Sequence, residues 1–257
     1  MNHQSKFGYL MENFVISNPI FFDFSNILIK DLFLAIICAI FGFYLLLLLL
    51  ILRNTSFQIW IIRKSIHFIG GTFIGFIVHF FTTLLGIIIG ISIFLVMFLL
   101  LIITSKFNIL KEYIILKECR ENERSFAFLT NTVSTLVILF VILIIFNNYP
   151  AIFTASALII SWADTTGEII GKILPVYKYK IFNKKSLSGS LAVFIISFLV
   201  FLMTIFYFNL SLPMFWFWRL VLGSFICTII EALSWKWVDN LLLPIFGSLV
   251  ILWIYLI

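Results

Sequence analysis

Residues 187–209 read LSGSLAVFIISFLVFLMTIFYFN, and no position in that run carries a charge. An α-helix crosses the hydrocarbon core of a bilayer in about 20 residues, which is the length of this run. Its apolar residues do not alternate with polar ones, so a barrel strand is disfavoured against a helix that satisfies its backbone groups internally. Outward from it, comparable runs occupy 31–52, 66–81, 84–104, 126–146, 151–171, 215–233 and 241–257. The expected class is all-α: a polytopic integral membrane protein with about eight transmembrane helices.

Composition agrees with that class. Hydrophobic residues fill 63% of the 257 positions and charged residues 11%, too little polar surface for a body solvated by water. Cys38, Cys119 and Cys227 are far apart and form no C-x-x-C pair, which argues against a disulfide framework and against a zinc site. Residues 1–30 lack the basic start and short apolar core of a signal peptide. They are expected to be a retained N-terminal extension ahead of a transmembrane catalytic domain over 31–257. Nothing suggests a nucleic-acid partner.

Charge tests the helix count, because cytoplasmic loops hold the excess of lysine and arginine. With eight spans, only Lys6, Lys30 and Arg219 of the 17 basic residues fall on the far side. The charged rim is therefore expected to be cytoplasmic, with both termini facing away. Glycines four residues apart, Gly71 and Gly75, Gly86 and Gly90, Gly167 and Gly171, are expected to let helices approach closely.

Ionisable side chains inside a span cost about 2.5–3.5 kcal/mol each and mark functional positions. In Ser161-Trp162-Ala163-Asp164-Thr165-Thr166-Gly167-Glu168-Ile169-Ile170-Gly171-Lys172, positions 164, 167, 168 and 171 share one helical face. Two carboxylates on a face cleared by glycine suit a magnesium ion shared with substrate phosphates. The plainer alternative is that Asp164 and Glu168 pair with Lys172 to hold helices together. The stretch is not a P-loop, since three residues rather than four separate its glycines and Ile173 replaces the required Ser or Thr.

Three further groups are expected on the same rim. Arg63, Lys64 and His67 lie where the second span enters the membrane, and the two cations suit phosphate. The basic loop from Lys172 to Lys185 leads into Ser186, Ser188, Gly189 and Ser190 at the start of the sixth span. Hydroxyls and backbone N–H groups there suit phosphate, and the lysines also suit anionic lipid headgroups. Glu231, Asp239 and Asn240 bring more polar groups around the last connection.

With these pieces in this order, the sequence resembles the membrane family of CTP-dependent lipid-alcohol kinases, which includes dolichol, phytol and farnesol kinases and is related to phosphatidate cytidylyltransferase. The resemblance covers most of 60–245 and rests on Arg63-Lys64 with His67, Glu121 to Arg124, Asp164 with Gly171, Lys185-Ser186 with Gly189-Ser190, and Glu231 with Asp239-Asn240 and Pro244. Two positions depart from it: Ser188 stands where the family has Glu, and Leu174-Pro175 where it has a second glycine. The resemblance implies that a lipid alcohol attacks the terminal phosphoryl group of CTP. Asp164 would be the leading ligand for Mg2+, with Glu168 and Asp239 as second ligand or base. Arg63, Lys64, Lys172 and Lys185 would hold phosphates, and Ser186, Gly189 and Ser190 would line their path. His67, Gly171, Glu231 and Asn240 complete the expected substrate site. Two rivals are a cytidylyltransferase, whose C-terminal signature has no match here, and an ion-coupled transporter, which would need polar residues in the nearly bare outer half.

Overall fold

The computed structural model describes residues 29–53, 59–93, 96, 125–147, 149–181, 184–210, 212, 214–234 and 238–256, and most of them are helical. Helices α1 (Ile29–Arg53), α2 (Ile59–Ile77, followed by a 3₁₀ turn over Val78–Phe80) and α3 (Leu84–Ile93) come first. Helix α4 (Ser125–Ile145) precedes a continuous rod made of α5 (Pro150–Leu158), a π-helical turn (Ile159–Ala163) and α6 (Asp164–Ile173). A hairpin of β1 (Lys178–Lys180) and β2 (Lys184–Ser186) leads into α7 (Leu187–Tyr207), then α8 (Trp216–Leu233) and α9 (Asp239–Leu256). Among the described residues, Trp60–Phe80, Leu187–Tyr207 and Trp216–Leu233 are long and apolar enough to cross a membrane. Leu84–Ile93, Ser134–Ile145 and Asn240–Ile254 are apolar but shorter.

Helices fall on the runs expected from the sequence, with local corrections. Helix α2 begins seven residues before the expected 66, so Arg63 and Lys64 sit inside it rather than ahead of it. Both are good helix formers, and no glycine or proline stands between Ile59 and Gly70 to delay the start. The basic loop is partly a two-stranded ribbon rather than an irregular connection. The N-terminal extension up to residue 28 and the Glu121–Arg124 segment lie outside the described residues, as do the side chains of Arg63 and Asp239.

The chain packs as two compact units that divide between Ser134 and Thr135. In the first, α1 and α2 run antiparallel, with Phe41 stacked on Phe73 at 3.7 Å and Leu45 beside Gly70. Asp31, on the first turn of α1, is fully buried. Its carboxylate accepts from the backbone N–H groups of Thr82 at 2.8 Å and Thr83 at 3.0 Å, and from both threonine hydroxyls. Those residues open α3, so Asp31 supplies the anion that an N-terminus favours, from another helix. Gly86 leaves the room: a Cβ there would stand 2.7 Å from that of Asp31.

In the second unit α5 is the centre. Pro150 starts it at a position where a missing N–H costs nothing, and every residue from Ala151 to Ser161 is buried. Helices α7 and α9 cover it, with Phe153, Phe201, Leu220 and Leu243 fully enclosed. Pro175 then ends α6, because a proline pushes the residue before it out of helical geometry and Leu174 stands at φ −123°, ψ 67°. Outward, α7 shows Leu187, Leu191, Ile195 and Leu199, an apolar stripe one turn apart that is exposed at each position.

Helices α6 and α7 meet backbone to backbone. A Cβ on Gly189 would lie 2.8 Å from the Gly167 carbonyl and 3.2 Å from Gly171 Cα. A Cβ on Gly171 would lie 2.8 Å from Ser186 Oγ and 3.4 Å from Gly189 Cα. Main chain cannot rotate away as a side-chain tip can, so Gly189→Ala should lose about 1–3 kcal/mol through overpacking. Gly70→Ala, whose new methyl would meet only Leu45 Cδ1 at 3.4 Å, should be close to neutral. Thermal unfolding of the two purified variants in detergent compares them directly; equal melting temperatures would refute the close crossing.

Candidate functional site

Asp164 follows directly on the π-helical turn. Its backbone N–H donates to the carbonyl of Ile159, five residues back, and regular helix resumes from Asp164 onward. One extra residue in the turn therefore resets which way Asp164 faces relative to α5 while keeping Asp164 and Glu168 on a shared face. Single π turns of this kind recur at functional sites. Ser161 and Thr166 return their hydroxyls to main-chain carbonyls, to Leu158 at 3.3 Å and to Trp162 at 2.7 Å. Asp164 is buried, 7% exposed.

Two hydroxyls near this turn have no hydrogen-bond partner among the described residues. They are Thr165 Oγ1 and Ser197 Oγ, both fully enclosed. Gly171 faces Gly189 and Gly167 faces Val193, so the antiparallel step of four brings Ser197 level with Ala163. A buried polar group left unpaired costs about 1–3 kcal/mol, which a ligand or water at that level would recover.

Glu168 accepts from Lys172 Nζ at 2.6 Å, one turn further along α6. The Lys172 side chain is 43% exposed and that of Glu168 12%, and an i,i+4 pair open to solvent at one end stabilises by only about 0.3–0.5 kcal/mol. Glu168 thus pairs with Lys172 as the plainer alternative had it, but within one helix, so the pair does not hold helices together.

Lys185 is held more firmly. Its ammonium donates to the backbone carbonyl of Glu231 at 3.0 Å and to the Glu231 carboxylate. Their side chains are 17% and 9% exposed. Ser234 Oγ donates to the same carbonyl at 2.7 Å, so a cation and a hydroxyl close the C-terminus of α8. The hairpin explains how Lys185 gets there. Tyr179 and Lys185 are cross-strand partners, so their side chains leave one face of the ribbon, toward the helices. Tyr179 Oη lies 2.6 Å from Ser190 Oγ.

The expected phosphate-lining hydroxyls are engaged in the same framework. Ser186 caps α7 by accepting from the N–H of Gly189 at 3.2 Å, and it donates to the Gly171 carbonyl at 3.3 Å. Ser188 donates to the Leu174 carbonyl and accepts from the N–H of Val176 at 3.3 Å. The two departures from the lipid-alcohol kinase pattern, Ser188 and Leu174, thus touch one another. Gly171, Lys185, Ser186, Gly189, Ser190 and Glu231 form one linked network around the start of α7. Asn240 is half-buried on the first turn of α9. In the first unit, Lys64 is buried and His67 half-buried on α2.

Sequence reasoning passed over Tyr179, Thr165, Ser197 and Asp31. The pair Thr82-Thr83 directly before an apolar run was a legible signal for a helix start, and with it the need for a capping group. A strand of three residues is too short for alternation to be read.

Among the described residues no three His, Cys, Asp or Glu side chains converge, so a cage of protein ligands alone is not formed. Magnesium more often takes one or two carboxylates and completes its shell with water and substrate phosphate. Asp164 and Glu168, one turn apart with the unpaired Thr165 hydroxyl next in the chain, fit an ion of that kind.

Compared with known protein families, curated proteins and solved structures, the chain shows no match.

Breaking the buried pair from one side should be costly. Glu231→Ala strands the Lys185 ammonium and should lose up to about 3 kcal/mol, whereas the double variant Lys185→Met with Glu231→Leu should recover most of it. Unfolding of the single and double variants measures the coupling; strictly additive losses would show that the pair contributes nothing.

Proposed function

We propose that this chain is a multi-pass membrane enzyme, with about eight transmembrane helices and a cytoplasmic catalytic rim, that transfers the terminal phosphoryl group of CTP or another nucleoside triphosphate to an isoprenoid or lipid alcohol. The observation that carries the proposal is a buried carboxylate, Asp164, set at the end of a π-helical turn with unpaired hydroxyls nearby. An ionisable side chain at such a position is costly, and such groups mark functional positions. The outward stripe on α7 and the exposed Trp218, Leu222, Phe225 and Ile229 of α8 support lipid as the surrounding medium.

In this reading Asp164 would hold magnesium, with Glu168 or Asp239 as second ligand and the other free to act as base, and the ion would supply charge to offset that on the phosphate oxygens. Lys172 releases Glu168 and turns to the phosphates, a change eased by the exposure of its ammonium end. Lys185 orients the end of α8 and contributes positive potential from its fixed position. The alcohol oxygen forms a bond to the terminal phosphorus as the bridging bond to CDP breaks, and Glu168 or Asp239 takes the alcohol proton. Arg63, Lys64 and His67 rest as phosphate holders on the sequence alone. Phosphoryl transfer asks mostly for positioning and charge neutralisation, which such a set can supply.

Membranes carrying the protein, given γ-labelled CTP and a panel of prenols, phytol and diacylglycerol, should move label to one lipid. Asp164→Asn should reduce transfer by about a hundredfold or more while inserting normally. Undiminished transfer in that variant removes Asp164 from the mechanism, and release of pyrophosphate instead of CDP identifies a cytidylyltransferase.

A further inference from the structure

The hairpin has two unlike faces. Tyr179 and Lys185 leave one face and are engaged with Ser190 and Glu231. Lys178, Lys180 and Lys184 leave the other, and all three are exposed. No ion pair joins them to a carboxylate among the described residues, and the sequence holds no acid between Glu168 and Glu231.

The register sharpens this. Lys180 stands directly opposite Lys184, and like charges in that position repel. A ribbon this short gains little from its own ladder, so an unrelieved repulsion beside its turn calls for an anion. The apolar residues beside the lysines are equally unprovided for: Leu174 is 61%, Val176 52%, Tyr177 81% and Ile181 51% exposed. Tyr177 also holds a backbone φ of 43°, a left-handed conformation unfavourable for its side chain. The carbonyls of Val176 and Tyr177 both accept from the N–H of Leu187, each at 3.1 Å, which fixes that turn against the start of α7.

Position supplies the partner. Helix α7 is 21 residues of apolar sequence, about 30 Å of helix, and its first residue follows directly on β2. If α7 crosses a bilayer, the hairpin stands at headgroup depth, where lysine stems lie along acyl chains and ammonium groups reach phosphate.

We propose that the outer face of the hairpin, formed by Lys178, Lys180 and Lys184 and flanked by Val176, Tyr177 and Ile181, docks the phosphate groups of anionic membrane lipids. The site is separate from the phosphate-handling residues Lys172 and Lys185, and it rests on the membrane part of the function proposed above, not on the catalytic part.

The test uses the full chain in a neutral detergent, titrated with short-chain phosphatidylglycerol or phosphatidylcholine, with bound lipid counted by native mass spectrometry. Wild type should prefer phosphatidylglycerol by about tenfold or more, as three lysines at an anionic headgroup imply. K178Q/K180Q/K184Q should lose the preference without a fall in melting temperature, because it also removes the Lys180–Lys184 repulsion. K178R/K180R/K184R should keep it. Equal binding of the two lipids by wild type, or an undiminished preference in the glutamine variant, overturns the proposal. Displacement of phosphatidylglycerol by CTP or inorganic phosphate also overturns it, since the face would then be a general phosphate site. Absence of label transfer with the lipid preference intact would sink the kinase and leave the hairpin assignment standing.

Discussion

Between α6 and α7 there is no room for a methyl group at Gly189. This contact sets the spacing of the second unit, because two backbones that touch leave only one arrangement for the side chains on either side. Ser186 can reach the Gly171 carbonyl and still cap α7 only at that distance. The hairpin between the two helices is thereby closed at its base, and its register brings Lys185 to the end of α8. One steric condition thus governs where the neighbouring Lys185 can place its charge.

The two ion pairs of this region differ in kind, and magnitude separates their roles. Glu168 with Lys172 is a pair one turn apart on a single helix, with its ammonium end open to solvent. Lys185 with Glu231 is enclosed, adds a main-chain acceptor, and would leave an uncompensated charge if opened. A basic segment that looks uniform in sequence is therefore divided into a lysine that can move, a lysine that is fixed, and three that face outward.

Much of the helical layout was legible in the sequence, since uninterrupted apolar runs and the Pro150 and Pro175 boundaries have local causes. The shared face of Asp164 and Glu168 was legible for the same reason. What could not be read were features that depend on contact between distant segments. The π turn inserts one residue without any change of composition, and nothing around Ile159–Ala163 announces it. Ser186 and Gly189 have the residue types of a phosphate-binding helix start, yet the same types serve a cap and a tight crossing, and only packing tells the two apart. The partners of Lys185 and Asp31 lie 46 and about fifty residues away in sequence, beyond any local pattern.

The buried Asp31 carboxylate carries a consequence for biogenesis. Thr82 follows it by 51 positions, so during synthesis the aspartate leaves the ribosome well before the groups that will satisfy it exist. An ionised carboxylate has no stable place in lipid alone. The contact that satisfies Asp31 can form only once the third helix has begun, and until then the start of the first helix lacks the groups that hold it.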